Sequence, residues 1–439
     1  MKETKFKQTE IGMIPDDWEV KRLGELFSIK HGFGFKSEFF SDEINQKVVV
    51  TPGNFKLDGG FQYQNKPIYY TGVYPEEFEL ASDDLVITMT DLSKNSDTLG
   101  NPMLIPKDGF VYLHNQRIGL VKILWSNCNK SFLFRLLCSK DYHHKVVSTA
   151  AGSTVKHTSP KRIYDVAVPL PPTIAEQQKI AKALSDVDNA ISTLEKLITK
   201  KKNLKQGTMQ QLLTGKKRLP GFAKSSDFKQ TEIGEIPEDW EVVNISRMCT
   251  IKARIGWQGL KSDEYLDTGD YLLITGTDFD NGFINWKNCS YVTEWRFKQD
   301  KNIQIKKGDV LITKDGTIGK VAFLNEVPMA GTLNSGVFVV RPKDYDLIDS
   351  VFLSLIFKSF WFDNFLEQIT SGSTIVHLYQ KDFVKFNYIL PSKPEQTAIA
   401  NVLSSMDKEI EALNTKLEKY RNLKTGMMQQ LLTGKIRLV

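Results

Sequence analysis

The sequence has little cysteine. Its four residues (Cys128, Cys138, Cys249 and Cys289) form no CxxC pair and have no histidine at zinc-ligand spacing. That excludes a disulfide framework and a zinc module, and leaves ordinary buried thiols as the expectation. Long apolar runs are missing as well. The longest, such as Val351 to Phe357, break within about eight residues, whereas a membrane-spanning helix requires roughly 18 to 20, so no transmembrane segment is expected. The opening MKETKFKQTEIG lacks the apolar stretch of a secretory signal, which makes the cytoplasm the expected compartment. Low-complexity tracts are absent, and the six histidines show no HExxH or HxH pattern. What is present suits a folded chain: 439 residues with 41% hydrophobic and 25% charged leave room for two to four domains, each with a core. The net charge of +6 permits a nucleic-acid partner without requiring one.

The dominant signal is an internal repeat. Phe6 to Val20 (FKQTEIGMIPDDWEV) and Phe228 to Val242 (FKQTEIGEIPEDWEV) agree at 13 of 15 positions. Met209 to Lys216 and Met428 to Lys435 are both MQQLLTGK. Between these anchors only islands persist, such as Gly152-Ser153-Thr154 with His157 against Gly372-Ser373-Thr374 with His377. A period near 220 is too long for a solenoid, so two domains of one fold, each followed by the same connector, is the simpler architecture.

The connectors are helical. Ile399, Leu403, Met406, Ile410, Leu413, Leu417 and Tyr420 follow strict 4-3 spacing, and so do Ile180, Leu184, Val187, Ile191, Leu194 and Ile198, with Lys201 breaking the pattern at the seventh place. So narrow a seam predicts a coiled coil over the alternative of two separate amphipathic helices, each lying on its own domain with a wider apolar stripe. From Ile180 to Leu213 the rod would be about 50 Å long at 1.5 Å per residue. Each helix is entered through a proline-rich corner with Glu176-Gln177 or Glu395-Gln396 in its first turn, and ends near Gly215 or Gly434. The intervening regions carry short β-branched runs (Lys47 to Val50, Leu85 to Thr88, Tyr271 to Thr275, Val310 to Thr313, Gly336 to Val340). A helical stretch then follows in each, at Lys130 to Ser148 and Leu347 to Thr370. The predicted fold class is α/β (mixed α+β): domains at 1–172 and 219–391, helices at 173–218 and 392–439, packed as an antiparallel coiled coil with pseudo-two-fold symmetry. Residues 219–227 form a polar hinge.

The TEIGxIPxDWEV opening, the P-x-x-x-EQ helix entry and the LLTGK ending, occurring twice over the whole chain, resemble the specificity (S) subunits of type I restriction-modification enzymes. The resemblance implies two target recognition domains, each reading one half of a split sequence on double-stranded DNA, with the helices as a spacer. It implies two methyltransferase (M) subunits and restriction/translocase (R) subunits as partners, and no membrane partner. S-adenosylmethionine, ATP and magnesium would reside on those partners, with no cofactor and no metal in this chain.

Reading bases takes donors and acceptors on groove-facing loops, while gripping phosphate takes cations or backbone N–H groups. Candidate DNA contacts in the first copy are Lys30, Phe35, Lys36 and Ser37 of a glycine- and aromatic-rich loop, then Thr90, Lys94 and Asn95 after one strand. Asn115, Gln116 and Arg117 precede another, and Lys156 and His157 follow the Gly-Ser-Thr island. In the second copy they are Arg254, Trp257 and Lys261, then Lys314, Asp315 and Thr317, then Asn334 and Ser335, then Thr374 and His377. The competing readings are a solvated turn for the first loop and turn amides bonding their own backbone for Asn115 and Asn334. The run Lys196 to Arg218 holds eight Lys or Arg and no acid, either a solvated helix face or a direct DNA or partner contact, and beneath a duplex it would add salt-sensitive attraction.

Two other functional classes fit the sequence less well. A fused restriction-methylation enzyme lacks its motifs. Asn101-Pro102-Met103 misses the second proline and the aromatic of the adenine-methyltransferase motif, Gly316 to Lys320 is no GxxxxGK[ST] loop, and Asp227-Phe228-Lys229 has no second acid. A scaffold binding two proteins and no DNA would show no salt-dependent duplex affinity. No catalytic residue is assigned.

Overall fold

The computed structural model describes residues 5–438 apart from 92, 94, 153–154, 256–258 and 371–376. The chain divides into two compact units, residues 1–195 with 415–439 and residues 196–414. Each unit therefore contains one globular domain plus parts of both long helices. The last 25 residues of the sequence belong with the first domain.

In the first unit four antiparallel strands lie in the order Pro102–Leu104, Leu85–Thr88, Ile118–Ile123, Phe27–His31. All four residues of Leu85–Thr88 are buried, as a central strand covered on both faces requires. A second sheet pairs Lys47–Val49 in parallel with Val111–Leu113. The helical stretch expected over Lys130 to Ser148 consists of two helices, Lys130–Leu137 and Lys140–Ser148. The break falls where the Ser139 hydroxyl accepts the Tyr142 N–H and starts a new helix. The second unit repeats this plan: Cys249–Ala253, Val337–Pro342, Val310–Thr313 and Val321–Phe323 form the antiparallel sheet. Tyr271–Ile274 pairs in parallel with Gly331–Leu333. Its helical stretch also breaks, into Ser350–Ile356 and Phe360–Thr370.

The long helices run Ile174–Leu213 and Lys393–Leu431. Within the first unit Lys424 Nζ lies 3.0 Å from Asp188, and Arg421 2.8 Å from Glu195. Within the second, Lys205 pairs with Asp407 and Lys201 with Glu409 at 2.5 and 2.6 Å. One index rises as the other falls, so the helices pack antiparallel. Ile180, Leu184, Val187, Leu194 and Ile198 are buried, as are Ile399, Leu403, Ile410 and Leu417, which is the narrow seam the heptads predicted. Lys201 departs from the pattern because its ammonium reaches Glu409.

The repeated edges have a concrete job. Gln177 Oε1 accepts the Asn129 N–H at 2.8 Å, and its Nε2 donates to the Asn127 and Pro171 carbonyls at 3.0 Å. Gln396 does the same with Asp349, Leu347 and Pro391. This fixes each helix entry to its domain. Glu176, 2% exposed, receives Arg437, whose guanidinium also holds Asp17 and lies 5.5 Å from the centre of the Trp18 ring. Glu395, 1% exposed, receives Arg218, with Asp239 and Trp240 in the matching places. The guanidiniums hold the Asp17 and Asp239 carboxyls below the usual carboxylate range. Gly215 and Gly434 end the helices at φ +69 and +72, and a Cβ on either would strike Pro237 or Pro15, so LLTGK cannot exchange its glycine.

Candidate nucleic-acid interface

In both copies the strand ends bring three separated stretches of sequence together. In the first, the Met89 N–H donates to the Arg117 carbonyl at 2.8 Å and the Thr158 N–H to the Met89 carbonyl at 3.0 Å. Thr90 pairs with His157 and Asp91 with Lys156. Thr90 Oγ1 is 3.1 Å from His157 Nδ1. In the second, the Lys314 N–H donates to the Gly336 carbonyl and the Leu378 N–H to the Lys314 carbonyl, both at 2.9 Å, and Asp315 Oδ1 is 2.8 Å from His377 Nδ1. One backbone framework thus carries different side chains: Thr90 stands where Asp315 does, and Gln116-Arg117 where Ser335-Gly336 do.

The buried Asp91 shapes the first loop. Burial raises its pKa, but the N–H groups of Ser93 and Thr98 and the Thr98 hydroxyl outweigh that and hold it below the usual carboxylate range. Gln116 and Arg117 are exposed. The Lys30–Ser37 loop docks beside them, with the Phe33 N–H on the His114 carbonyl at 2.7 Å and the Gln116 N–H on the Phe33 carbonyl at 3.0 Å. Gly32 is obligatory there, since a Cβ would lie 2.2 Å from the Asn115 carbonyl oxygen. Lys36, Ser37 and Asn95 are exposed. In the second copy Lys261 and Thr317 are exposed, and Lys314, Asp315, Asn334 and Ser335 are half-buried.

Several candidates take structural positions instead. Arg254 is 1% exposed and donates to the Leu333 carbonyl, Thr332 Oγ1 and Gln299 Oε1, so it fills the domain interior rather than meeting DNA. Burial lowers its pKa. Phe35 is packed edge-on against Tyr70 and Tyr74 in an aromatic core and presents no face for stacking. Thr90 is buried, and Lys30 is engaged by Glu77 at 2.7 Å. Asn115 and Asn334 each accept a backbone N–H two residues on, from Arg117 and Gly336, as turn amides do. Lys94, Trp257 and Thr374 lie outside the described residues. Sequence reasoning passed over Lys161 and Lys381, exposed at matched places on the short helices Pro160–Tyr164 and Gln380–Phe383 that follow His157 and His377. Their shared offset of 220 was the available signal.

Each copy thus presents a framework of strand-end loops with several cations around it and variable polar side chains, the arrangement of a paired recognition protein rather than of a catalyst. The family profile described as type I restriction modification DNA specificity domain matches residues 15–206 and again 237–419, and the chain belongs to that family. It is a type I restriction-modification specificity subunit with two target recognition domains, the non-catalytic DNA-recognition component of such a system. It is similar to the type I restriction enzyme MjaVIII specificity subunit of Methanocaldococcus jannaschii, 28% identical over all of this chain and 97% of that protein. The EcoBI specificity subunit of Escherichia coli is 24% identical over 96% of this chain and 87% of its own length. Among solved structures, the S subunit of the type I system of M. genitalium aligns over 98% of both chains with a TM-score of 0.58 at 16% identity, which shows a shared fold. Among the described residues no helix is long and apolar enough to cross a membrane, and no cluster of metal-ligating side chains occurs.

Proposed function

We propose that each recognition domain reads one half of a split duplex target, the first through the strand-end loops that carry Asn95, Gln116 and Arg117, the second through those that carry Lys314–Thr317 and Ser335, with the shared Lys156–His157 and His377 turns holding the DNA backbone. The observation that carries this is the single backbone framework bearing different side chains in the two copies, as two readers of different half-sites need. Two methyltransferase subunits grip the repeated edges, and restriction/translocase subunits join them. S-adenosylmethionine, ATP and magnesium reside on those partners, and the complex works in the cytoplasm.

The test is duplex binding by the chain assembled with its methyltransferase partner. Replacing Arg117 or Lys314 with Glu weakens binding at 0.15 M salt, and each lost phosphate contact lowers the slope of log affinity against log salt by about 0.9. A complex whose affinity is indifferent to both substitutions, or to salt, refutes the assignment.

A further inference from the structure

The duplication supplies an internal comparison. In the first unit a groove of about 1230 Å³ runs between the hairpin strand Gly12–Pro15, the helix Lys140–Ser148 and the C-terminal part of the second long helix. It exceeds the roughly 300–1,000 Å³ of ordinary small-molecule sites. Its floor is apolar, with Met13, Ile14, Met428 and Leu432.

In the second unit a tryptophan occupies part of the equivalent place. Trp361 stands in the second helix position after Ser359, as Asp141 does after Ser139. Its indole is 8% exposed, and Nε1 donates to the Leu213 carbonyl at 2.8 Å. Leu213 corresponds to Leu432 in the shared MQQLLTGK. A Cβ added at Gly234 would meet the Trp361 ring at 4.0 Å, whereas one at the matching Gly12 meets nothing within 4 Å. Asp141 thus stands in the first unit where Trp361 covers the corresponding leucine in the second.

We propose that this groove docks an aromatic side chain presented by a partner polypeptide, seated against Leu432 as Trp361 is seated against Leu213. Charge favours an acidic flank on that segment. Asp58 and Asp188 are taken by Lys424, and Glu195 by Arg421. Lys56, Lys140 and Lys145 then stand against Asp141 as the remaining charged lining without an ion pair among the described residues, Lys145 donating only to the Ala167 carbonyl. A buried indole contributes large contact area at little conformational cost, which is why such residues anchor interfaces. The proposal stands independently of DNA reading.

The test uses the full chain and two probe peptides, acetyl-Glu-Trp-Glu-amide and acetyl-Lys-Trp-Lys-amide, followed by ligand-observed NMR. The acidic peptide is expected to bind saturably at one site and more tightly than the basic one. Asp141→Trp, which places an indole against Leu432 as Trp361 stands against Leu213, is expected to weaken it at least tenfold. Met13→Trp, at an exposed strand position lining the same space, gives the same loss should the first variant not fold. Trp361→Ala is expected to open a second site. Absence of saturable binding, or equal binding to Asp141→Trp and Met13→Trp, overturns the proposal. Displacement of the peptide by duplex DNA, or a dimer of the wild-type chain that Asp141→Trp dissociates, likewise overturns it by making DNA or a second copy the occupant.

Discussion

Arg437 is the third residue from the C-terminus, yet the first domain depends on it. Its guanidinium donates to Glu176 at 2.8 Å and to both Asp17 oxygens at 2.7 and 2.9 Å. Arg437→Met leaves Glu176, 2% exposed, as a desolvated carboxylate without its cation. Breaking a buried pair in this way costs about 3–5 kcal/mol. At about 2–4 °C per kcal/mol for a unit of roughly 200 residues, the melting transition of the first unit should fall by roughly 6–20 °C. Adding Glu176→Gln and Asp17→Asn to Arg437→Met removes the stranded charges and should recover most of the loss. Differential scanning calorimetry measures the size, and hydrogen exchange of the strands Glu19–Arg22 and Glu241–Asn244 shows which unit opens. A loss below about 1 kcal/mol, the size expected of an exposed ion pair, or equal deprotection of both strands, would refute the reasoning.

His114 is fully buried, with Nε2 on the Ile118 carbonyl and Nδ1 unpartnered; burial pulls its pKa down to about 4 despite that hydrogen bond. The folded value lies below the unfolded one near 6.5, so its contribution is full above pH 6.5 and is lost as pH falls toward 4, about 3 kcal/mol in all. Replacing it with Gln should flatten denaturant-measured stability between pH 7 and 4.5, and an unchanged slope counts against the claim. Because Arg437, Gly434, Asp17 and Pro15 reproduce Arg218, Gly215, Asp239 and Pro237, a circular permutant opened within residues 219–227 and joined from 439 to 1 by the same nine-residue linker should melt within a few degrees of the parent. Failure to fold would sink that equivalence. Inserting one heptad after Glu195 and one after Asn414 lengthens each helix by about 10 Å. At about 3.4 Å per base pair the recognised spacer should grow by about three base pairs with unaltered half-sites, and changed half-sites would contradict a spacer role.

The helices were legible because a 3.5-residue apolar repeat makes a narrower stripe than a helix lying on its own domain shows, and the domains because their anchors recur almost letter for letter. Local chemistry hid the rest. Ser139 divides the helical stretch at Lys130 to Ser148 in two, since a hydroxyl cap competes with continuation, and the stretch's composition does not mark that point. Arg254 looked like a phosphate contact because sequence shows its charge but not the Leu333 and Thr332 oxygens that bury it, about 79 positions away. Likewise, Thr90 and His157 are 67 positions apart, and their contact exists only once the sheet has formed. The role of Glu176-Gln177 was out of reach for the same reason, since the partner Arg437 is 261 positions distant.

The most direct measurement is to exchange residues 17–170 for the first recognition domain of another specificity subunit, assemble the chimera with the methyltransferase partner, and map methylated adenines across a genome. The methylated motif should keep one half-site and the spacer and change the other half-site alone. A motif altered in both halves, or in neither, would contradict the assignment of one half-site to each domain.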